Sequence, residues 1–382
     1  MSRSSAHEPP ALVDVTLREG EQRPGRRYSA GQKVEVARQL DALGVDYVQV
    51  GFPVVGEVTA AVCAELDLDA KTTGIARALD GDVEAAIEAE VDVVDLFAPT
   101  SDRQRTQLLD CSREELLSRV HDAVDAAQDA GCEVHFSAMD GFRTDPGFLS
   151  RLVEEVDAEY VVIADTVGSR TPRGVEETLA AVGENDDLSH VGVHFHDDLG
   201  VATANALAAA DCGAGRIDVS VAGVGERAGN TPLEQFVAAC VAGDERTEVG
   251  VETDRLLPAA RAVLSTLGES VPSSKPLLGE GAFAHESGLH TAAMLDDPAT
   301  FEPFDPATFG GERQLLFGSA SGAGAARGLL RRAGTEPTFE RVSALLAVLD
   351  DADEDLPLGA AVELAESVAN AEREATEAGE RQ

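Results

Sequence analysis

The stretch V-G-V-H-F-H-D-D, Val191 to Asp198, carries the reading of the fold. Its first half is short, apolar and β-branched, the signature of a strand. On a strand, His194 and His196 are two residues apart, so both imidazoles leave the same face. Two acids, Asp197 and Asp198, follow at once. Chemistry gathered at the carboxyl end of a strand is a pattern the rest of the chain repeats.

Similar runs occur near Leu12–Thr16, Tyr47–Pro53, Thr72–Arg77, Val91–Pro99, Glu133–Asp140, Tyr160–Gly168 and Arg216–Gly225. Helical patterns fill the gaps. Ser29–Leu43 opens with a Ser cap, and Ser112–Ala130 opens S-R-E-E, a capping box of Ser112 and Glu115. Pro172 stands at a helix start, where a missing N–H costs nothing. Strand alternating with helix implies parallel pairing, and eight such units in roughly 230 residues match a (β/α)8 TIM barrel. An open doubly wound sheet is the competing architecture. Reactive residues end strand after strand: Arg18 and Glu19, Asp140, Asp165 and Thr166, the two histidines, then Glu226 and Arg227. A barrel brings all of these to one face, whereas an open sheet spreads them along an edge.

After Glu252 the rhythm changes, so the expected organisation is a barrel over 8–252 and a mainly helical C-terminal extension over 253–382. Helices are expected at Thr253–Leu267, Ala323–Arg332, Phe339–Leu349 and Gly359–Ala378, with Gly/Pro/Ser-rich sequence from Gly268 to Gly281. The 382 residues carry 70 acids against 30 bases, a formal charge of −40. That surface excludes nucleic acid and anionic membranes as partners, since both require basic patches. Lysine is confined to Lys33, Lys71 and Lys275, and acid in excess with almost no lysine reads as a halophile's surface. No apolar run is long enough to span a membrane, and the polar start, Met1 to Pro10, lacks a signal-peptide core. Five scattered cysteines with no C-x-x-C point to a reducing cytoplasm.

Glu19 ends the first strand, and in a closed barrel strand one is separated from strand seven only by strand eight. Glu19, His194 and His196 then form a two-His-one-carboxylate set with open positions, able to chelate a substrate through hard oxygens. Such a set suits Mg²⁺, Mn²⁺ or Zn²⁺. Arg18 offers a bidentate fork for a carboxylate, or a structural ion pair with a neighbouring acid. The turn G-V-G-E-R-A from Gly223 loosely matches a dinucleotide fingerprint, but a glycine turn that lets backbone approach a ligand fits its place better.

Four ordered motifs resemble the homocitrate synthase, 2-isopropylmalate synthase and citramalate synthase family of barrel metallolyases. They are D-V-T-L-R-E-G-E-Q at Asp14–Gln22, H-F-H-D-D-L-G at His194–Gly200, G-V-G-E-R-A-G-N at Gly223–Asn230 and H-E-S-G-L-H at His285–His290. The resemblance runs from Asp14 to about Leu330 and stops short of the allosteric domain of many isopropylmalate synthases. It implies a metal at Glu19, His194 and His196, with Asn230 close by. It further implies that Arg18, Gln22, Arg143 and Thr166 bind a 2-oxo acid and that Gly223, Gly225, Glu226 and Arg227 approach acetyl-CoA. Arg18 and His290 would be the catalytic side chains, in a homodimer whose extension reaches over the neighbouring barrel. The implied reaction is a condensation of acetyl-CoA with a 2-oxo acid in amino-acid biosynthesis. Same-fold alternatives are a lyase acting on an acyl-CoA or hydroxy acid, and a non-catalytic binder of metal and oxo acid. Three positions depart from the family pattern: Met139 stands where an acid is usual, Phe301 where a Tyr is, and Gln104 where many members have His. The first two touch proton transfer, and a thioether moves no proton.

Overall fold

The computed structural model describes residues 8–183, 187–243 and 247–380. Strands β1 (Ala11–Asp14), β2 (Tyr47–Gly51), β3 (Lys71–Arg77), β4 (Val93–Pro99), β5 (Glu133–Met139), β6 (Tyr160–Asp165), β7 (Val191–Phe195) and β8 (Arg216–Val219) form a closed barrel in that order. Every neighbouring pair is parallel, and β1 closes on β8 with Val13 opposite Asp218. All eight expected strands are present, mostly shorter at their carboxyl ends than their apolar runs. Those ends turn early into loops and short helical turns, which is where the reactive residues sit.

The connecting helices in the first half are α1 (Thr16–Glu19), α2 (Ala30–Asp41), α3 (Val58–Cys63), α4 (Asp80–Glu88), α5 (Asp102–Leu108) and α6 (Arg113–Asp129). They continue as α7 (Pro146–Glu155), α8 (Pro172–Val182), α9 (Ala202–Asp211), α10 (Leu233–Ala242) and α11 (Leu256–Leu267). The local signals act as expected. Both Ser29 and Ser112 close reciprocal capping boxes, with Gln32 and Glu115, and Pro172 takes the first position of α8. Along α6, Leu116, Leu117, Val120, Ala123, Val124 and Ala127 recur at helical spacing and are buried. Each leucine or valine among them is worth roughly 1.5–3 kcal/mol when fully buried.

The amino-terminal end of the barrel is plugged. Tyr47 and Tyr160 stand edge-on to His135, with ring centroids 5.0 and 5.1 Å away. Val13, Val15 and Val93 pack with Tyr47 into the same small core. The carboxyl end is left to polar residues.

Two compact units divide between Val271 and Pro272, beyond the change of rhythm at Glu252. The difference is α11, which packs against α2, with Gln32 Nε2 donating to the Thr266 carbonyl at 2.8 Å. The second unit holds α12 (Gly288–Met294), α13 (Ala323–Arg332), α14 (Phe339–Asp350) and α15 (Leu358–Glu380). It also holds a three-stranded sheet of β9 (Ala284–His285), β10 (Gln314–Phe317) and β11 (Leu356–Pro357), which the sequence reading did not include. Its core gathers Phe317, Leu329, Leu330, Leu345 and Leu349. Among the described residues no helix is long and apolar enough to cross a membrane.

Candidate metal centre and substrate pocket

Three side chains from two neighbouring regions of the rim converge. Glu19 ends α1, just past β1, while His194 lies on β7 and His196 one residue beyond it. All three are buried, and one ligand atom from each lies within 4.8 Å of the others. His194 Nε2 is 3.7 Å from one Glu19 oxygen and His196 Nε2 is 3.8 Å from the other.

The far sides of both rings are already held. His194 Nδ1 meets Asp218 Oδ2 at 3.1 Å, and His196 Nδ1 meets the Asp165 carbonyl at 3.3 Å. Acceptors at both Nδ1 atoms place the proton there and turn a lone pair on each Nε2 towards Glu19. Among the described residues His196 Nε2 has no hydrogen-bond partner, and neither does the side-chain amide of buried Asn230. Orphaned polar atoms at this depth need a partner. Two imidazole lone pairs and a carboxylate make a donor set that fits a divalent cation. Burial pushes the Glu19 carboxyl up, but the Arg18 guanidinium beside it pulls the other way and the group lies well below the usual carboxylate range. Glu19 is therefore an anion, as a ligand must be.

Arg18 pairs with Glu19 and donates from Nε to Gln49 Oε1 at 2.6 Å. Gln49 Nε2 donates to Asp95 at 3.0 Å, and the same Asp95 oxygen accepts from Arg216 Nη2 at 2.8 Å. Arg216 Nε reaches Asp218 at 2.8 Å, and Asp218 holds His194. The chain of contacts is thus a ring: Glu19, Arg18, Gln49, Asp95, Arg216, Asp218, His194 and back to Glu19. Arg216 is fully buried at the centre of the barrel. A buried cation of this kind is tolerable only because two carboxylates face it.

A cavity with about 710 Å³ of empty space opens above this ring. Arg18, Glu19, Gln22, Thr166, His194, His196 and Glu226, all singled out in the sequence, line it together. Thr166 is oriented by the Asp140 N–H, which donates to its hydroxyl at 2.8 Å. Arg143 lies apart from this set. Both arms of its guanidinium are tied to Asp140 at 2.7 Å, and it is not among the cavity walls. Met139 is a wall of the cavity.

The Gly223–Asn230 turn folds over one side. Gly223 has φ +71°, in the left-handed region that favours glycine, and a Cβ on Gly225 would lie 2.5 Å from Asn230 Oδ1 and displace that side chain. Glu226, expected to face acetyl-CoA, brings its carboxylate 3.8 Å from His196 Nε2. Arg227 is held by Asp198, Glu226 and the Thr166 carbonyl at 2.8–2.9 Å. His290 lies on α12 in the second unit, stacked on Phe301 with ring centroids 3.9 Å apart.

Asp218, Arg216, Asp95 and Gln49 were not singled out in the sequence. Their signal was a charged or polar residue inside an otherwise apolar strand, as in R-I-D-V and V-V-D-L.

Comparison with known proteins agrees with this picture. A family model described as HMGL-like matches residues 9–263, and one described as homocitrate synthase post-HMGL domain-like matches residues 277–354. The chain is 42% identical to the "Homocitrate synthase AksA" of Methanopyrus kandleri over 88% of its own length and 85% of that protein. It is 41% identical to the "Probable 2-isopropylmalate synthase" of the same organism, over 88% of its length and 68% of that protein. A solved hydroxymethylglutaryl-CoA lyase from Pseudomonas aeruginosa superposes with a TM-score of 0.61 at 26% identity, covering 69% of this chain and 95% of that one.

Proposed function

The chain belongs to the HMGL-like family, and we propose that it is a metal-dependent acyltransferase that condenses acetyl-CoA with a 2-oxo acid in amino-acid biosynthesis. The observation that carries this reading is the convergence of Glu19, His194 and His196 in one cavity with Arg18, Gln22 and Thr166. The relatives that match over most of the chain are synthases of this kind.

Glu19, His194 and His196 would hold the divalent ion, Mg²⁺, Mn²⁺ or Zn²⁺, with Asn230 and Glu226 at its side. Such an ion chelates a 2-oxo acid and offsets negative charge on its carbonyl oxygen. The protein's own part is orientation. Arg18, fixed by Glu19 and Gln49, presents its remaining N–H groups to the substrate carboxylate, and the Thr166 hydroxyl and Gln22 complete that cradle. Gly223, Gly225, Glu226 and Arg227 form the approach for acetyl-CoA. Proton transfer falls to the imidazole of His290. A homodimer, a salt-loving surface and a cytoplasmic setting complete the proposal. Mixing His290→Ala chains with Glu19→Ala chains tests the shared site: activity returns if His290 of one chain serves its partner.

The deciding assay is thiol release from acetyl-CoA against pyruvate, 2-oxoisovalerate and 2-oxoglutarate in molar salt. Release that depends on one of these acids is the expected result. Release with none, from a folded metal-loaded protein, overturns the synthase reading in favour of a lyase or a non-catalytic binder.

A further inference from the structure

We propose that Glu269, just past the carboxyl end of α11, is a positioning residue for the metal centre: by gripping Arg23 and Tyr28 it fixes the turn that follows Glu19, and so aims Glu19 and Gln22 into the cavity. The inference rests on the metal-centre reading and adds to it a residue that is not among the cavity walls.

Glu269 is itself well anchored. Its N–H returns to the Leu264 carbonyl at 2.8 Å, which ties it to the last turn of α11. Its side chain is only 5% exposed. One carboxylate oxygen accepts from Arg23 Nη2 at 2.6 Å and from the Tyr28 hydroxyl at 3.2 Å. The other accepts from Arg23 Nη1 at 3.1 Å, and Arg26 approaches it at 3.5 Å. Arg23 Nη2 also donates to the Tyr28 hydroxyl at 3.0 Å, which closes a triangle of three side chains. Burial pushes the Glu269 carboxyl up, but the Arg23 guanidinium on it pulls the other way and the group lies below the usual carboxylate range. Burial also raises the Tyr28 phenol, which keeps its proton and donates it to Glu269.

What the triangle holds is Gly20, the residue after Glu19. Arg23 Nε donates to the Gly20 carbonyl at 3.2 Å. The Tyr28 ring lies so close to Gly20 that a Cβ there would stand 2.5 Å from the phenol oxygen and 2.9 Å from a ring carbon. Glu21 is held from another direction. The Tyr28 N–H donates to it at 2.9 Å and buried Lys33 at 2.7 Å, and Lys33 Nζ also donates to the Val50 carbonyl on β2 at 2.8 Å. Gly20–Gln22 form a single three-residue turn that starts where Glu19 ends, so whatever fixes Gly20 also fixes the main chain of Glu19. One short turn has little stiffness of its own. The clamp supplies it from a residue 246 positions away from Arg23.

Titration calorimetry with Mn²⁺ in molar KCl tests this, on proteins whose melting curves show them folded. Glu269→Gln keeps the shape but turns an NH₂ group towards a guanidinium that needs an acceptor. Its Mn²⁺ affinity should fall about tenfold, the lower end of what losing an outer partner of a metal ligand costs. Arg23→Lys keeps the charge but loses the fork that spans Glu269, Tyr28 and Gly20, so it should fall alike. The double variant should lose no more than either alone, because the two residues act as one clamp. Asp82→Asn controls for general loosening of the barrel. Asp82 is equally covered, at 5% exposed, and grips Arg77 through two hydrogen bonds of 2.7 and 2.8 Å, so its loss should leave Mn²⁺ affinity unchanged. Wild-type affinity in folded Glu269→Gln and Arg23→Lys overturns the inference and leaves the metal centre intact. Losses that add in the double variant, or an equal loss in Asp82→Asn, overturn it too. Wild-type protein that binds no Mn²⁺ sinks the metal centre itself, and the inference with it.

Discussion

Asp218 stands behind His194, its carboxylate 3.1 Å from Nδ1 on the side of the ring away from Glu19. Burial pushes the Asp218 carboxyl up, but the Arg216 guanidinium and His194 overcome it and bring it down to about 2. A permanent anion at Nδ1 fixes the ring's orientation and makes Nε2 a stronger donor. Asp218→Asn keeps the shape and removes the charge, so Mn²⁺ affinity should fall about 10- to 100-fold. Titration calorimetry reads this directly. An unchanged affinity in a folded variant would mean that Asp218 does not position the ligand.

His196→Ala removes an Nε2 that makes no hydrogen bond among the described residues. Bound metal per chain, measured by elemental analysis after gel filtration, should drop from one to near zero. Retention of full stoichiometry would place the ion elsewhere.

The barrel was legible because each strand is a self-contained run of apolar, β-branched residues, and because reactive side chains cluster at strand ends. Glu19 and the His194–His196 pair were legible for the same reason, since spacing along a strand fixes the face. The ring through Arg216 was not. Asp95 on β4 and Arg216 on β8 lie 121 residues apart and meet only across the lumen of the closed barrel. Local pattern shows that each is inside, but not which partner it faces. The strands of the second unit escaped for another reason: β9 and β11 are two residues long, too short for any period to show.

Salt should stabilise this protein strongly. With 70 acids against 30 bases, self-repulsion weighs on the folded state, and molar salt shortens its range to about 3 Å. The expected result is a steep rise in Tm between 0.1 and 2 M KCl in differential scanning calorimetry. A flat profile would contradict a salt-adapted surface.

Acid should destabilise the barrel through His135. Burial and the Arg216 guanidinium 2.5 Å from Nδ1 hold its pKa below the ordinary 6.5. Below pH 6.5 the unfolded ring therefore takes up a proton that the folded one refuses, and stability falls as pH falls. Glu133, drawn down to about 2 chiefly by its hydrogen bond from His135, adds a loss of the same sign between pH 4.5 and 2. Asp14, raised by burial to about 7, works oppositely between pH 7 and 3.8, where its folded form holds a proton that the unfolded one has lost. His135→Gln isolates the first effect. Between pH 7 and 5 its urea midpoint should fall less than that of the wild type; parallel losses would clear His135 of the role.

Met139→Glu restores an acid at a wall of the metal cavity. If proton transfer is what the thioether lacks, turnover on the accepted 2-oxo acid should rise, by on the order of the 10²–10⁴-fold typical of general acid–base help, with little change in oxo-acid KM. A variant that melts like the wild type yet gains no turnover would show that the missing acid does not limit the rate.

Closure of the barrel also sets a schedule for its synthesis. The Val221 N–H donates to the Thr16 hydroxyl, and the two residues are 205 positions apart. At about 5–20 residues per second, a ribosome needs on the order of 10–40 s to travel that distance. Throughout that interval β1 has one edge exposed and its acidic turn unpartnered. The nascent chain must wait with an open, seven-stranded sheet, and a stall anywhere before β8 leaves that edge free to pair with a stranger.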